Sequence, residues 1–148
     1  NIYKEALNSI RLVSGKKEAK DVVIRCEIND KFFTSMHPGE LQTVIINLLD
    51  NACYWTQKTD GKKEIDITAL ENDSQALRIL IRDTGPGISE EDAIRIFQPG
   101  ITAKPYGIGM GLVIVTELLN KYNCKIGTTV PGDLGGATFC FDLPLVES

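Results

Sequence analysis

The sequence predicts an α+β domain. The expected form is a two-layer α/β sandwich whose mixed, mostly antiparallel sheet is covered on one face by about three helices. Three observations lead there. Two long segments carry apolar residues at helical spacing, shorter segments between them read as strands, and the breaks are too short to be a domain linker. At 148 residues the chain is also close to the roughly 150 of one domain.

Ile2, Ala6, Ile10 and Val13 recur near helical spacing, so the first dozen or so residues read as a helix fading into a Lys-rich loop. Val22 to Ile28 alternates as a strand. Pro38 opens a long helix, since proline suits a first turn, and Leu41, Val44, Ile45, Leu48, Leu49 and Ala52 form its apolar face. Glu64 to Leu70 and Leu77 to Ile81 read as a hairpin joined by the polar run Glu71 to Ser74. Ser89 with Asp92 signals a short helix ending near Ile96. Pro99, Gly100, Pro105 and Gly107 break residues 97–108 into loop. A second long helix runs from about Met110 to Tyr122, and strands near Lys125 to Val130 and Ala137 to Leu143 close the domain.

Composition narrows the function. With 43% hydrophobic and 24% charged residues the chain has a globular balance. Sixteen basic against twenty acidic residues give a net charge of −4, and without a basic cluster no nucleic-acid partner is expected. No apolar run approaches the roughly 20 residues of a membrane span. Asn1 is not an initiator Met, so the expectation is a cytoplasmic piece of a longer chain. Cys26, Cys53, Cys124 and Cys140 lie far apart and read as reduced thiols. With His37 as the only histidine, any metal should be a hard, oxygen-liking ion such as Mg²⁺.

Three segments carry chemistry. On the helix from Pro38, a projection at about 100° per residue puts Asn47, Asn51, Tyr54 and Lys58 in one stripe beside the apolar face. Two amides one turn apart at the edge of a core need partners, either backbone or a ligand such as Mg²⁺. Next, Asp83 ends a strand before Gly85 and Gly87. An ionised carboxylate only accepts hydrogen bonds, which suits an exocyclic amino group such as adenine's, and glycines let backbone approach a flat ring. Asp83-Thr84-Gly85 also matches the aspartic-protease triplet, but those enzymes need two facing Asp residues on a nearly all-strand fold. Finally, Gly107, Gly109 and Gly111 precede a helix and would expose N–H groups as an anion nest. The spacing is neither a dinucleotide fingerprint nor a P-loop. Between these segments, Phe97 would pin a loop that Lys104 lets reach a terminal phosphate, a natural lid.

The Asn-bearing helix, Asp-x-Gly-x-Gly, Phe-containing loop, Gly-x-Gly-x-Gly-Leu and the Gly135-Gly136-Ala137-Thr138-Phe139 strand come in one order. Together they resemble the catalytic ATP-binding domain of bacterial sensor histidine kinases, over roughly residues 20–144. The resemblance implies the Bergerat-type sandwich shared with heat-shock-90 chaperones, mismatch-repair ATPases and type II topoisomerases. It implies ATP and Mg²⁺ as cofactors, with Asn51 on the metal, Asn47 near the phosphates and Asp83 on the adenine amino group. Gly85 and Gly87 would shape the base pocket, and Gly107, Gly109, Gly111 and Leu112 the phosphate cradle. Phe97, Thr102 and Lys104 would belong to the lid, here of a short form resembling the nitrogen-regulation kinases. Asn47 and Lys104 would be the catalytic pair.

Hydrolysing members of the superfamily carry Glu where this chain has Asn47, and an amide cannot activate water. The resemblance therefore implies a protein histidine kinase of a two-component system, with a superfamily ATPase or a binding module without phosphotransfer as alternatives. Residues 1–19 would be a helix left from the connection to a dimerisation and phosphoacceptor hairpin, and 20–148 the ATP-binding domain. That hairpin and, through the full-length protein, a response regulator would be its partners, the piece itself being monomeric. Three positions depart from the family pattern. Tyr54-Trp55 replaces a basic residue followed by Tyr, which leaves Lys58 as the substitute phosphate contact. Ala137 stands where Thr is common, and Ala103 replaces the second Thr of the lid. His37, before Pro38, reads as loop structure and not as the phosphoacceptor.

Overall fold

A computed structural model describes residues 1–72, 75–85, 110–129 and 138–147. Helix α1 (Ile2–Ser14) starts from Asn1, whose side chain accepts a hydrogen bond from the Lys4 amide at 2.8 Å. A 3₁₀ turn at Lys17–Ala19 leads to β1 (Val23–Glu27), then the two-residue β2 (Phe33–Thr34) and α2 (Pro38–Thr56). The hairpin β3 (Glu64–Glu71) and β4 (Ala76–Asp83) follows. Helix α3 (Met110–Lys121), β5 (Ile126–Thr129) and β6 (Thr138–Val146) complete the described elements. The short helix expected over Ser89 to Ile96 and the loop over 97–108 lie outside the described residues. Among those residues, no helix is long and apolar enough to cross a membrane.

The six strands form one sheet in the order β1-β3-β4-β6, with β5 and β2 sharing the far edge of β6. β1 pairs parallel with β3, and every other pairing is antiparallel. The sheet is therefore mixed and mostly antiparallel, as expected. Alternation decides its faces: Ile65 and Ile67, then Leu77, Ile79 and Ile81, then Phe139, Phe141 and Leu143 are buried under the helices. The residues between them build an open face of paired charges. There Arg25 lies 3.4 Å from Glu64, and Arg78 makes two bonds to Asp142 at 2.9 and 3.2 Å. Pairs this exposed contribute roughly 0–1 kcal/mol each, and their larger role is to keep this face in water and the register fixed.

Two expectations change in detail. The last strand was expected over Ala137 to Leu143, yet β6 runs on to Val146, where Leu145 and Val146 pair with Thr34 and Phe33 of β2. A two-residue strand has no period to detect, so β2 was not foreseen. On α1 the buried face is Ile2, Ala6, Ser9 and Val13 together with Glu5, and Ile10 is only partly covered. Small Ala6 and Ser9 let α1 lie against α2. The Ser9 hydroxyl is satisfied by the Glu5 carbonyl at 2.8 Å, and the Glu5 carboxylate by the Gln42 amide at 2.5 Å.

Helix α2 is the central member, touching α1, α3, β3 and β4. Cys53 faces the core, where burial, followed by the charge of Asp50, pushes its thiol up to about 11 and leaves it inert. His37, expected as loop structure, is the N-cap of α2: its Nδ1 accepts from the Gly39 amide at 3.0 Å. The His37 amide donates to the Tyr122 hydroxyl at 3.1 Å, and that hydroxyl donates to Glu40 at 2.6 Å. Lys121 donates to the other Glu40 oxygen at 2.9 Å. Asn123, at φ 60°, turns the chain away after α3.

The end of α3 is thus tied to the start of α2. The hydrogen bonds from Tyr122 and then Lys121 hold the Glu40 carboxyl below the usual carboxylate range. A group depressed in the folded state contributes stability above its unfolded pKa and loses it as pH falls through the folded one. Glu40→Gln should therefore melt lower than the parent at pH 7, and the gap should narrow as the pH falls below the ordinary Glu value of about 4.3. Thermal denaturation of both proteins at pH 7 and pH 3.5 checks this.

Candidate functional site

The polar stripe on α2 divides under inspection. Asn47 is half-buried, and its Nδ2 donates to the Thr43 carbonyl one turn back at 2.7 Å. That is the ordinary backbone-satisfied Asn of a helix, with Oδ1 left over. Asn51 differs. It is 7% exposed, and its carboxamide makes no hydrogen bond among the described residues. Its polar atoms are not among the sealed, unpartnered ones, so the carboxamide is open to a group from outside the chain.

Tyr54 and Trp55 follow, ring to edge at 5.0 Å. Lys58 does not continue the stripe, because α2 ends at Thr56 and Lys58 lies in the turn beyond. Its ammonium folds back over the Tyr54 ring, 4.9 Å from the centroid.

The second wall is the end of β4. Asp83 stands opposite Ile65 in the register and follows Ile79 and Ile81 on the helix-covered face. Its carboxylate is therefore carried into the sheet–helix interface, where it is 1% exposed. Oδ1 accepts from the Gly85 amide at 2.9 Å. Thr84 pins the turn to the start of β3: its hydroxyl donates to the Lys62 carbonyl at 2.5 Å and accepts from the Glu64 amide at 3.0 Å.

Gly85 then passes against α2. A Cβ there would lie 2.9 Å from both the carbonyl carbon and the oxygen of Trp55, closer than real contacts allow. Only glycine fits. Trp55 is one helical turn beyond Asn51, so this contact brings the Asp83 turn to the part of α2 that carries the unpartnered amide.

The third wall is the start of α3. Its end meets Glu40 and its body packs along α2. Its 12 residues span about 18 Å, and the same run counted along α2 from Glu40 reaches the turn of Asn51. The positive end of α3 therefore faces away from Glu40, toward the later turns of α2. Gly111 lies within the first turn of α3 and not in a preceding loop. Leu112 is half-buried against the core, its carbonyl accepting from Thr116 at 2.9 Å.

Of the expected site residues, Asn47, Asn51, Asp83, Gly85, Gly111 and Leu112 fall on these three walls. Gly87, Phe97, Thr102, Lys104, Gly107 and Gly109 lie outside the described residues. The described residues hold no cluster of three His, Cys, Asp or Glu side chains fit to cage a cation. The Asn51 oxygen is a suitable hard donor, and the fit is to a cation held mainly by a ligand's own oxygens. Sequence reasoning missed the Gly85–Trp55 contact, which has no signal beyond the glycine itself.

Comparison with known proteins gives the family. Residues 36–147 match the family described as histidine kinase-, DNA gyrase B- and HSP90-like ATPases. The chain is 29% identical over 151 residues to hybrid signal transduction histidine kinase K of Dictyostelium discoideum, covering 92% of this chain and 12% of that protein. It is 34% identical over 114 residues to the signal transduction histidine-protein kinase BarA of Escherichia coli K12, covering 73% of this chain and 12% of that protein. The chain thus spans only a small part of these relatives. The solved catalytic domain of histidine kinase ThkA superposes with a TM-score of 0.81 at 26% identity, covering 97% of this chain and 94% of that one. The chain belongs to the family of histidine kinase-, DNA gyrase B- and HSP90-like ATPases, and its fold is that of the solved catalytic domain of a histidine kinase.

Proposed function

We propose that this chain binds Mg²⁺-ATP in the cleft between α2, the Asp83–Gly85 turn and the start of α3, and offers the γ-phosphate to a histidine on another domain. The observation that carries the reading is the pair of polar side chains in an otherwise apolar interface: Asp83, 1% exposed, and Asn51, 7% exposed with no partner among the described residues. The Asp83 carboxylate accepts the adenine amino group, and Gly85, seated against the Trp55 backbone, sets that carboxylate beside α2. Asn51 offers its carbonyl oxygen toward the metal and phosphates. The bound cation neutralises phosphate charge.

The chain's own contribution is positioning. Asn47 is an amide tied to its own helix, so it neither abstracts a proton nor activates water. This supports transfer to a delivered nucleophile over hydrolysis. The acceptor histidine, with the base that serves it, belongs to a dimerisation hairpin, and a response regulator takes the phosphoryl group onward. Residues 1–19 lead toward that hairpin, although α1 packs into the core with α2. Phe97, Thr102 and Lys104 would close as a lid over the phosphates, with Gly87 shaping the base pocket and Gly107 and Gly109 completing the phosphate cradle.

Calorimetric titration with ATP and GTP, with and without Mg²⁺, tests the reading. The parent should prefer ATP, and equal affinity for GTP would remove Asp83 from the base pocket. Asp83→Asn, which presents a donor as well as an acceptor, should lower ATP affinity at least tenfold, about 1.4 kcal/mol. Asn51→Ala should abolish the Mg²⁺ dependence of binding, and an unchanged dependence would show that Asn51 is not a ligand. Gly85→Ala should cost about 1–3 kcal/mol of stability and weaken ATP in the same protein, read by chemical denaturation and titration.

A further inference from the structure

Gln57 follows Thr56 as the cap of α2, and its side chain is tied on two sides. Its Nε2 donates to the Glu18 carbonyl at 3.1 Å and to the Lys20 carbonyl at 2.7 Å, both in the segment joining α1 to β1. Its Oε1 accepts from the Lys63 ammonium at 3.0 Å. A charge on the amide oxygen polarises the group and strengthens its two donated bonds. The Lys63 carbonyl in turn accepts from the Val23 amide at 2.9 Å, so the same residue starts the β1–β3 pairing.

From Lys63 the connections run to the site. Its neighbours Lys62 and Glu64 hold the Thr84 hydroxyl through a carbonyl and an amide, and the Thr84 amide donates to the Glu64 carbonyl at 3.2 Å. Thr84 stands between Asp83 and Gly85. Gly85 abuts the backbone of Trp55, two residues before Gln57. The contacts thus close a ring: Gln57, Lys63, the start of β3, Thr84, Gly85, Trp55 and back to Gln57.

The two halves of the ring act in opposite directions. The Gly85–Trp55 contact is a steric stop, which prevents α2 and the turn from coming closer but does not hold them together. The hydrogen bonds through Gln57 resist separation. With both, the offset between the Asp83 carboxylate and α2 has one value. Without Gln57, the end of α2 keeps its core packing but loses the tie that fixes its spacing from the turn.

We infer that Gln57 is a positioning residue for Asp83, setting how closely a base must fit between that carboxylate and α2. The inference rests on the nucleotide reading above and adds to it the residue that sets base discrimination. It also connects the segment after α1 to the pocket, since the carbonyls Gln57 holds belong to that segment.

The test compares affinities for ATP and inosine triphosphate, whose 6-oxo group replaces the amino group, by calorimetry, with thermal melts of each protein. The parent should favour ATP. Gln57→Ala should reduce the ATP-to-ITP ratio about tenfold, mainly by weakening ATP. Gln57→Glu, which keeps Lys63 but loses both donors, and Lys63→Met, which frees the amide oxygen, should each reduce the ratio and serve if Gln57→Ala folds poorly. Lys16→Ala, which breaks only the exposed ion pair to Asp50 at 2.9 Å, should leave the ratio unchanged.

An unaltered ratio in the Gln57 and Lys63 variants, whatever their melting temperatures, would overturn the inference while leaving the nucleotide reading intact. So would an equal loss of ATP and ITP affinity, or a fall in Lys16→Ala as large as in Gln57→Ala. A parent that binds both nucleotides equally would sink the base-pocket reading itself, and this assignment with it.

Discussion

The site depends on a close approach of backbone to backbone. Gly85 sits against the Trp55 carbonyl in a space that no other residue enters. A carboxylate buried to the extent of Asp83 is costly in an apolar interface unless hydrogen bonds hold it. The same glycine supplies one such bond through its amide. One missing methyl group therefore serves packing and electrostatics together. It lets the end of β4 reach α2, and it places a donor where the buried charge requires one.

The opposite end of α2 is fixed by a different device. There the contact is polar: His37, Glu40, Lys121 and Tyr122 tie the start of α2 to the end of α3 through side-chain bonds that water can reach. Because α3 is anchored at its end, the position of its start follows from its length. The apolar core supplies most of the adhesion between these elements. The polar ties decide how far along each other they sit, which adhesion alone leaves open.

What was legible in the sequence follows the strength of its periodic signals. Helix α2 was clear because Leu41, Val44, Ile45, Leu48, Leu49 and Ala52 all lie on its buried side. The β3–β4 hairpin was clear from its alternation, and Asp83 from its place at a strand end before glycine. The buried side of α1 was missed at two positions, because Ser9 and Glu5 look polar while the Ser9 hydroxyl bonds its own helix and Glu5 bonds Gln42. Lys58 fell off the stripe because nothing local shows that α2 stops at Thr56. His37 was assigned to loop when its ring caps a helix, a role its position before Pro38 and Gly39 permits but does not announce. Gln57 had no sequence signal at all, since its partners are backbone carbonyls nearly forty residues away. Of the two amides on α2, spacing made them look equivalent, and only burial and bonding separate Asn51 from Asn47.

The arrangement of β6 has a consequence for how the domain is made. It receives β4 along one side and both β5 and β2 along the other, yet among the strands it is the last in chain order. During synthesis, β4 leaves the ribosome long before its neighbour exists, with an unpaired edge and the apolar face of α2 waiting for Phe139 and Phe141. Sheets completed by such distant partners assemble slowly and leave sticky intermediates. Arg78 and Arg82, which alternate with the apolar residues of β4, keep one face of that waiting strand charged.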